Sequence, residues 1–312
     1  MTERVKLMMP NAYFRGEIVP SEKAKISIAS HSLQYGTTCF GGLRGYYNDG
    51  DVTLFRMEDH YERLMNAVKI FGIDYQMSFG EFQEIIFELI KSNNPESDFY
   101  MRPFIYSDDE ELTPKFEINF DFALYMISLG DYLDTSKGLR VLISSWKKFS
   151  DASISTKAKA GGTYLNSALA RSDANRLGYD EALVMDHNWN IVEGSAENLL
   201  VVYRGEVITP PTGSSMLEGV TMRTVIDFLK DAKIPLRFEK IDRSMIYTCD
   251  ELLLTGTAAQ VLYAESVDDR MIGKENKGEM GPVCKLLRKN FDKLLSGKHP
   301  RSKEWLSHLN LR

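Results

Sequence analysis

Cysteine is nearly absent from these 312 residues: Cys39, Cys249 and Cys284 are the only three, and none lies in a C-x-x-C spacing. An odd, scattered set excludes a disulfide framework and a paired-cysteine zinc site, and fits a reducing compartment such as the cytoplasm. No run of about 18 uncharged apolar residues occurs, so no membrane-spanning helix is expected. Met1-Thr2-Glu3-Arg4-Val5-Lys6 leads into no apolar stretch, so no secretory leader is expected either. Positive charge is not in excess. Thirty-eight Lys and Arg against 44 Asp and Glu leave a net charge of -6, and no global field draws nucleic acid or anionic lipid.

What is present is an ordinary globular composition, 43% hydrophobic and 26% charged, in a chain long enough for about two domains. Alternating and turn-punctuated runs predict a bent hairpin over 12–20, strands on either side of Asp49-Gly50, and strands over 99–106 and 118–126. Apolar residues at three- and four-residue steps (Tyr61, Leu64, Met65, Val68, Phe71) predict a helix over 57–71. Ser78-Phe79-Gly80-Glu81 is a capping box that opens a second helix, stopped at Asn94-Pro95. These elements make a small α+β domain over 1–128. A Gly/Asp/Ser/Thr-containing stretch at 129–138 reads as the interdomain linker, and 139–312 as a larger domain. That domain is expected to hold strands over 139–145, 181–186, 198–203 and 237–241, a run at 251–254, and helices over 165–177, 220–232 and 282–295. Strands and long helices do not alternate strictly, which disfavours a doubly wound parallel sheet.

The segment Ser155-Thr156-Lys157-Ala158-Lys159-Ala160-Gly161-Gly162-Thr163-Tyr164-Leu165-Asn166 is the most informative. A lysine among small residues before Gly-Gly suits a place where a flat ring approaches the backbone closely, as a Schiff-base lysine requires. In an extended segment Lys157 and Lys159 share a face, and spacing does not choose between them. Glu193 and Glu197 are likewise rival carboxylates within a few residues of each other.

Together, Lys159-Ala160-Gly161-Gly162 with Tyr164-Leu165, Val192-Glu193-Gly194-Ser195-Ala196-Glu197-Asn198-Leu199, Gly219-Val220-Thr221 and Thr255-Gly256-Thr257-Ala258-Ala259 form four ordered blocks. The sequence resembles the class IV aminotransferases that use pyridoxal 5'-phosphate, most closely their branched-chain amino acid members. Tyr35-Gly36-Thr37-Thr38-Cys39-Phe40-Gly41-Gly42-Leu43-Arg44 and His60-Tyr61-Glu62-Arg63-Leu64 extend the likeness through the first domain.

The resemblance implies the fold type IV architecture, a small α/β domain and a larger mixed-sheet pseudo-barrel domain. It implies Lys159 as the covalent cofactor lysine and proton carrier, Glu193 at the pyridine nitrogen, and Tyr164 at the ring's phenolic oxygen. Arg63, Val220, Thr221 and Thr257 are implied at the phosphate. Tyr35, Phe40, Gly42, Tyr100, Arg102, Tyr132, Thr257 and Ala258 are implied around the substrate, with Arg102 facing a distal carboxylate. A homodimer or larger assembly of this chain follows from the same likeness, with small amino and 2-oxo acids as its other partners and neither nucleic acid nor membrane. The leading expectation is amino transfer from leucine, isoleucine or valine to 2-oxoglutarate. The alternatives are a D-amino acid or (R)-amine transaminase, an aminodeoxychorismate-lyase-like enzyme, and, lowest, a catalytically silent binding protein. The chain departs from the family pattern twice: Gly41 stands where an acidic residue is usual, and Ser107-Asp108-Asp109-Glu110-Glu111-Leu112 replaces a Gly-rich turn. Four acidic side chains in that turn would repel a substrate carboxylate unless they point outward.

Overall fold

The computed structural model describes residues 8–129, 137–273 and 277–312. Its contacts separate into two units, one of Met1–Tyr132, Ala158–Gly162 and Pro300–Arg312, the other of Leu133–Lys157 and Thr163–His299. This partition differs from a cut into 1–128 and 139–312 at two places, and backbone pairing explains both. Ala158–Gly162 is bonded to residues 36–40, and the strand Leu306–Asn310 pairs antiparallel with Asp51–Phe55. Most of the expected linker 129–138, including Tyr132, lies outside the described residues.

The first unit is built on an antiparallel sheet. Its order is Leu306–Asn310, Asp51–Phe55, Leu43–Asn48, Phe99–Tyr106, Asp121–Ser128, Asn11–Phe14 and Glu17–Pro20, with the short Cys39–Phe40 also on Phe99–Tyr106. The two expected helices form as Met57–Ile70 and Phe79–Asn93. The apolar stripe of the first is buried through Met57, Leu64, Ala67 and Val68, and that of the second through Phe82, Ile86, Leu89 and Ile90. Ser78 accepts from the Glu81 amide and the Glu81 carboxylate accepts from the Ser78 amide, so the capping box is complete. Both stripes join Leu43, Val52, Leu54, Phe99 and Phe122 in one core.

One expected strand moves: the alternation at 118–126 resolves into Asp121–Ser128. Phe116 and Phe120 are spent elsewhere, stacked on each other with ring centroids 6.3 Å apart, while Phe116 also stacks on Phe71 at 5.4 Å. Their apolar character covers a helix end and does not mark a strand.

The second unit carries a mixed sheet in the order Ile191–Gly194, Glu181–Met185, Leu139–Lys147, Gln260–Val267, Glu251–Gly256, Asn198–Tyr203, Glu206–Thr209 and Leu236–Phe238. Leu139–Lys147 runs parallel to both neighbours, and most other pairs are antiparallel. Ile191–Gly194 lies at one end of this order and Asn198–Tyr203 is sixth, yet residues 195–197 are all that joins them. So short a connection forces the sheet to curl on itself into a half-barrel, the architecture expected for this domain. The helix Tyr164–Arg176 packs on the Leu139–Lys147 and Glu181–Met185 strands, and Val220–Asp231 and Pro282–Leu295 pack on the Glu251–Gly256 side. The strand expected at 237–241 shortens to Leu236–Phe238, because the Ile241 carbonyl turns away to accept from the Ile191 amide at 2.8 Å.

Leu54 is fully buried between the first-unit sheet and its helices. Leu54→Ala removes its packing without a polar substitute, and urea unfolding is expected to show a loss of about 3 kcal/mol.

Candidate active site

Both units contribute candidate residues. In the first, the lysine segment is stitched to the strand that precedes Gly41-Gly42. Phe40 N–H donates to the Lys159 carbonyl at 2.9 Å, Gly161 N–H to Thr38 O at 2.9 Å, and Gly162 N–H to Gly36 O at 3.1 Å. The segment is bent, not extended, so the two lysines have different surroundings. Lys157 Nζ is engaged by the carbonyls of Thr212 and Met216. Lys159 Nζ stands 5.0 Å from the Phe40 ring centroid.

Phe40 is shared by a second cation. The Arg102 guanidinium lies 4.8 Å from the Phe40 centroid and 5.2 Å from that of Tyr100, and its Nη2 reaches the Tyr100 hydroxyl at 3.4 Å. Arg102 Nε is buried with no partner among the described residues. A cation held by aromatic faces and not by a carboxylate retains donor capacity for an anionic ligand.

The backbone here explains the first departure from the family pattern, Gly41. Pro103 lies inside the continuous strand Phe99–Tyr106, where it has no N–H to offer a neighbouring strand. The opposing strand breaks at the same level, into Cys39–Phe40 and Leu43–Asn48, and Gly41 N–H takes the Pro103 carbonyl at 2.9 Å. A Cβ at position 41 would stand 2.8 Å from Pro103 Cγ, and one at position 42 would overlap the Tyr100 hydroxyl. Gly42 therefore admits Tyr100, and an acidic side chain at 41 would have to displace the Pro103 ring.

In the 107–112 turn, Asp108 pairs with Arg15, and Asp109 accepts from the Asn119 amide at 2.9 Å. Glu111 accepts from Thr113 N–H and pairs with Lys115 at 3.3 Å, contacts that hold its carboxyl below the usual carboxylate range. Three of the four acidic groups are thus spent on local partners. Tyr35 directs its hydroxyl to the Leu112 carbonyl of this turn.

Arg63 lies on Met57–Ile70 with Nη2 3.4 Å from His60 Nδ1, while Asp59, a turn earlier, is held by Arg56 at 2.7 Å. Burial pushes the Cys39 thiol up to about 12, which leaves it without nucleophilic thiolate.

In the second unit Glu193 is 6% exposed, and its carboxylate is fully engaged. Lys148 Nζ lies 2.6 Å from Oε1, and Leu217 N–H donates to Oε2 at 3.1 Å. Asn198 Nδ2 donates to the carbonyl of the same Leu217 at 2.7 Å. The glutamate and asparagine of the Glu193–Asn198 block therefore grip one residue by both ends of its backbone. Two residues later Gly219 passes so close to Asn198 Oδ1 that a Cβ there would overlap it.

Gly219 is the N-cap of Val220–Asp231 and makes no side-chain cap. The amides of Val220, Thr221 and Met222 have no carbonyl partner within the helix, which makes its buried start an anion site. Thr257 and Ala258 lie in the turn between Glu251–Gly256 and Gln260–Val267, and Thr255 Oγ1 just before them is buried with no partner among the described residues. Tyr164 is the first residue of Tyr164–Arg176.

A buried carboxylate for a ring N–H and a buried helix start for a phosphate fit a phosphorylated pyridine. Sequence reasoning misses Lys148 and Leu217 altogether and sees Asn198 only as part of a block. A lysine 45 positions from its carboxylate carries no local signal. Among the described residues no group of His, Cys, Asp and Glu is arranged to hold a metal, and no helix is long and apolar enough to cross a membrane.

Lys148→Met should leave the Glu193 carboxylate buried and uncompensated. Urea unfolding is expected to show a loss of roughly 3 kcal/mol, most of it recovered in the Lys148→Met, Glu193→Gln double variant.

Residues 38–267 match the family described as amino-transferase class IV. The chain is 40% identical over 303 residues to the probable branched-chain-amino-acid aminotransferase of Aquifex aeolicus (strain VF5), covering 96% of each. It superposes on the branched-chain aminotransferase from Thermoproteus uzoniensis, solved with norvaline, with a TM-score of 0.91 and 32% identity over 96% of this chain and 99% of that one. The branched-chain amino acid aminotransferase from Thermobaculum terrenum, solved in its PLP-form, gives 0.90 and 26% over 97% and 99%.

Proposed function

This chain belongs to the class IV aminotransferases, and from that premise we propose that it uses pyridoxal 5'-phosphate to move the amino group of leucine, isoleucine or valine to 2-oxoglutarate by a ping-pong cycle. The observation that carries the cofactor assignment is the buried Glu193 carboxylate, locked between Lys148 and the backbone that leads into the helix start at Gly219. The substrate assignment is supported by whole-length likeness to relatives named branched-chain aminotransferases.

When bound, pyridoxal 5'-phosphate supplies a protonated ring that absorbs the charge left at the substrate Cα. The chain's residues supply the rest. Glu193 keeps a proton on the ring nitrogen, and Lys148 and Leu217 N–H fix the orientation of its carboxylate. Lys159 would hold the cofactor covalently and would move a proton at the substrate Cα as general base and acid. Tyr164 bonds the ring's phenolic oxygen. The amides of Val220 and Thr221, the hydroxyls of Thr221 and Thr257, and Arg63 bind the phosphate.

Phe40, Tyr100 and Gly42 bound an apolar side-chain pocket together with Tyr35, and Thr257 and Ala258 bind the α-carboxylate. Tyr132 belongs to the same pocket by family likeness alone. Arg102, a cation on two aromatic faces, serves both half-reactions: its rings accommodate a branched side chain, and its unspent donors take the distal carboxylate of glutamate. The ion pairs of Asp108 with Arg15 and Glu111 with Lys115 lessen the repulsion that the 107–112 turn would exert on a substrate carboxylate.

A homodimer or larger assembly and a cytoplasmic location complete this reading. The first is supported by family likeness, the second by three buried free cysteines.

Lys159→Ala is expected to lower transamination about a thousandfold, a typical contribution of a positioned general base, in a stopped-flow half-reaction. In the parent protein L-leucine or L-isoleucine should bleach the cofactor's visible absorbance, and D-alanine, an (R)-arylamine and aminodeoxychorismate should not. Bleaching by one of the latter three with none by leucine or isoleucine overturns the substrate assignment. Arg102→Met should raise KM for glutamate and 2-oxoglutarate by roughly ten- to a hundredfold, as loss of a charged hydrogen bond does, and leave KM for leucine within about threefold.

A further inference from the structure

The turn that closes the half-barrel carries two carboxyl groups side by side. Successive amides of the turn go to different acids: Ser195 N–H donates to Glu181 Oε1 at 3.1 Å and Ala196 N–H to Glu197 Oε2 at 3.1 Å. Because successive amides bind them, Glu181 and Glu197 stand side by side, and two like charges so placed resist being ionised together.

Their surroundings decide where the proton sits. Glu181, 1% exposed, receives Ser195 N–H, Ala182 N–H at 2.6 Å and the Arg171 guanidinium. Glu197 receives one amide. Negative charge is better solvated by three donors than by one, so Glu181 is the carboxylate and Glu197 the acid. The charged groups facing Glu197 are Glu181 from the Glu181–Met185 strand and Arg171 from the Tyr164–Arg176 helix. Burial, then the neighbouring carboxylate, pushes the Glu197 carboxyl up to about 8, against a smaller pull downward from Ala196 N–H and Arg171.

The side chain also lies across two glycines. A Cβ on Gly194 would stand 3.2 Å from Glu197 Oε2, and one on Gly256 3.5 Å from Glu197 Cγ. Gly194 directly follows Glu193, and Gly256 directly precedes Thr257. Glu197 thus touches the backbone beside both residues assigned to the cofactor.

We propose that Glu197 is a positioning residue that keeps its carboxyl proton at neutral pH, donates it to Glu181, and by that bond pins the closing turn between the Glu193 strand and the Thr257 turn. The effect on turnover rests on the roles proposed for Glu193 and Thr257, whereas the proton itself does not.

A carboxyl whose folded value is raised contributes stability that is fully present below its ordinary value and is lost as pH rises through the folded one. The thermal midpoint of the wild-type holoenzyme should therefore fall as pH approaches about 8. Glu197→Gln donates to Glu181 at every pH, so its midpoint should be flatter over the same range. Its kcat/KM for leucine should match the wild type at neutral pH and exceed it by about tenfold one unit above the proton's release.

Difference infrared spectra of the wild type should show a protonated-carboxyl band at neutral pH that disappears on alkalinisation and is missing in Glu197→Gln. Glu181→Gln, which removes the like charge, should release the proton at lower pH, and this second variant keeps the test open if the first fails to fold. Superimposable midpoint curves for wild type and Glu197→Gln, or no such band at neutral pH, overturn the proposal. A band present with identical kcat/KM profiles overturns the positioning role. A shifted midpoint in a protein that leaves leucine untouched supports the shared proton and instead overturns the branched-chain assignment.

Discussion

A carboxylate buried to the extent of Glu193 must be compensated where it stands, and the second unit is arranged around that requirement. Lys148 answers the charge, and the Leu217 amide answers the second oxygen. The amide comes from a loop, so meeting the electrostatic demand of the carboxylate also fixes the path of residues 217–219. Asn198 completes the grip from the other side of Leu217. The carboxylate proposed for the ring nitrogen and the helix start proposed for the phosphate are consequently set by one hydrogen-bonded unit, and neither can drift without the other.

In the first unit the corresponding constraint is steric. Tyr100 and Arg102 project from a strand that carries Pro103, and the facing strand breaks at Gly41-Gly42. Phe40, just before that break, lies beneath both the Lys159 ammonium and the Arg102 guanidinium. Aromatic faces attract cations without neutralising them. That property suits a pocket that must accept an aliphatic side chain in one half of the cycle and a carboxylate in the other.

Much of this was legible in the sequence where the signal was local. The capping box at Ser78 and the helical spacing from Met57 both do in three dimensions what their spacing implies. The rest was hidden for definable reasons. Phe120 imitates a strand residue because stacking on Phe116, which itself stacks on Phe71, demands the same apolar character that a sheet does. Gln260–Val267 and Leu306–Asn310 mix polar and apolar residues without clear alternation, and pairing partners far along the chain determine them. Lys157 and Lys159 differ in their surroundings through a bend that spacing does not encode. Lys148 and Glu181 reach Glu193 and Glu197 only through the pairing of the Glu181–Met185 strand with its two neighbours.

Leu306–Asn310 has one further consequence. It completes the first unit's sheet on a strand some 255 residues earlier, Ser307 facing Leu54 and His308 facing Thr53. Domains usually fold in the order in which they are synthesised, but here the sheet begun by the earliest segments stays open at one edge until the whole second unit has left the ribosome. During translation the strand Asp51–Phe55 is an unpaired edge carrying Val52, Leu54 and Phe55, the kind of surface on which nascent chains aggregate. The second unit, nested between the two halves of that pairing, has the opportunity to fold first.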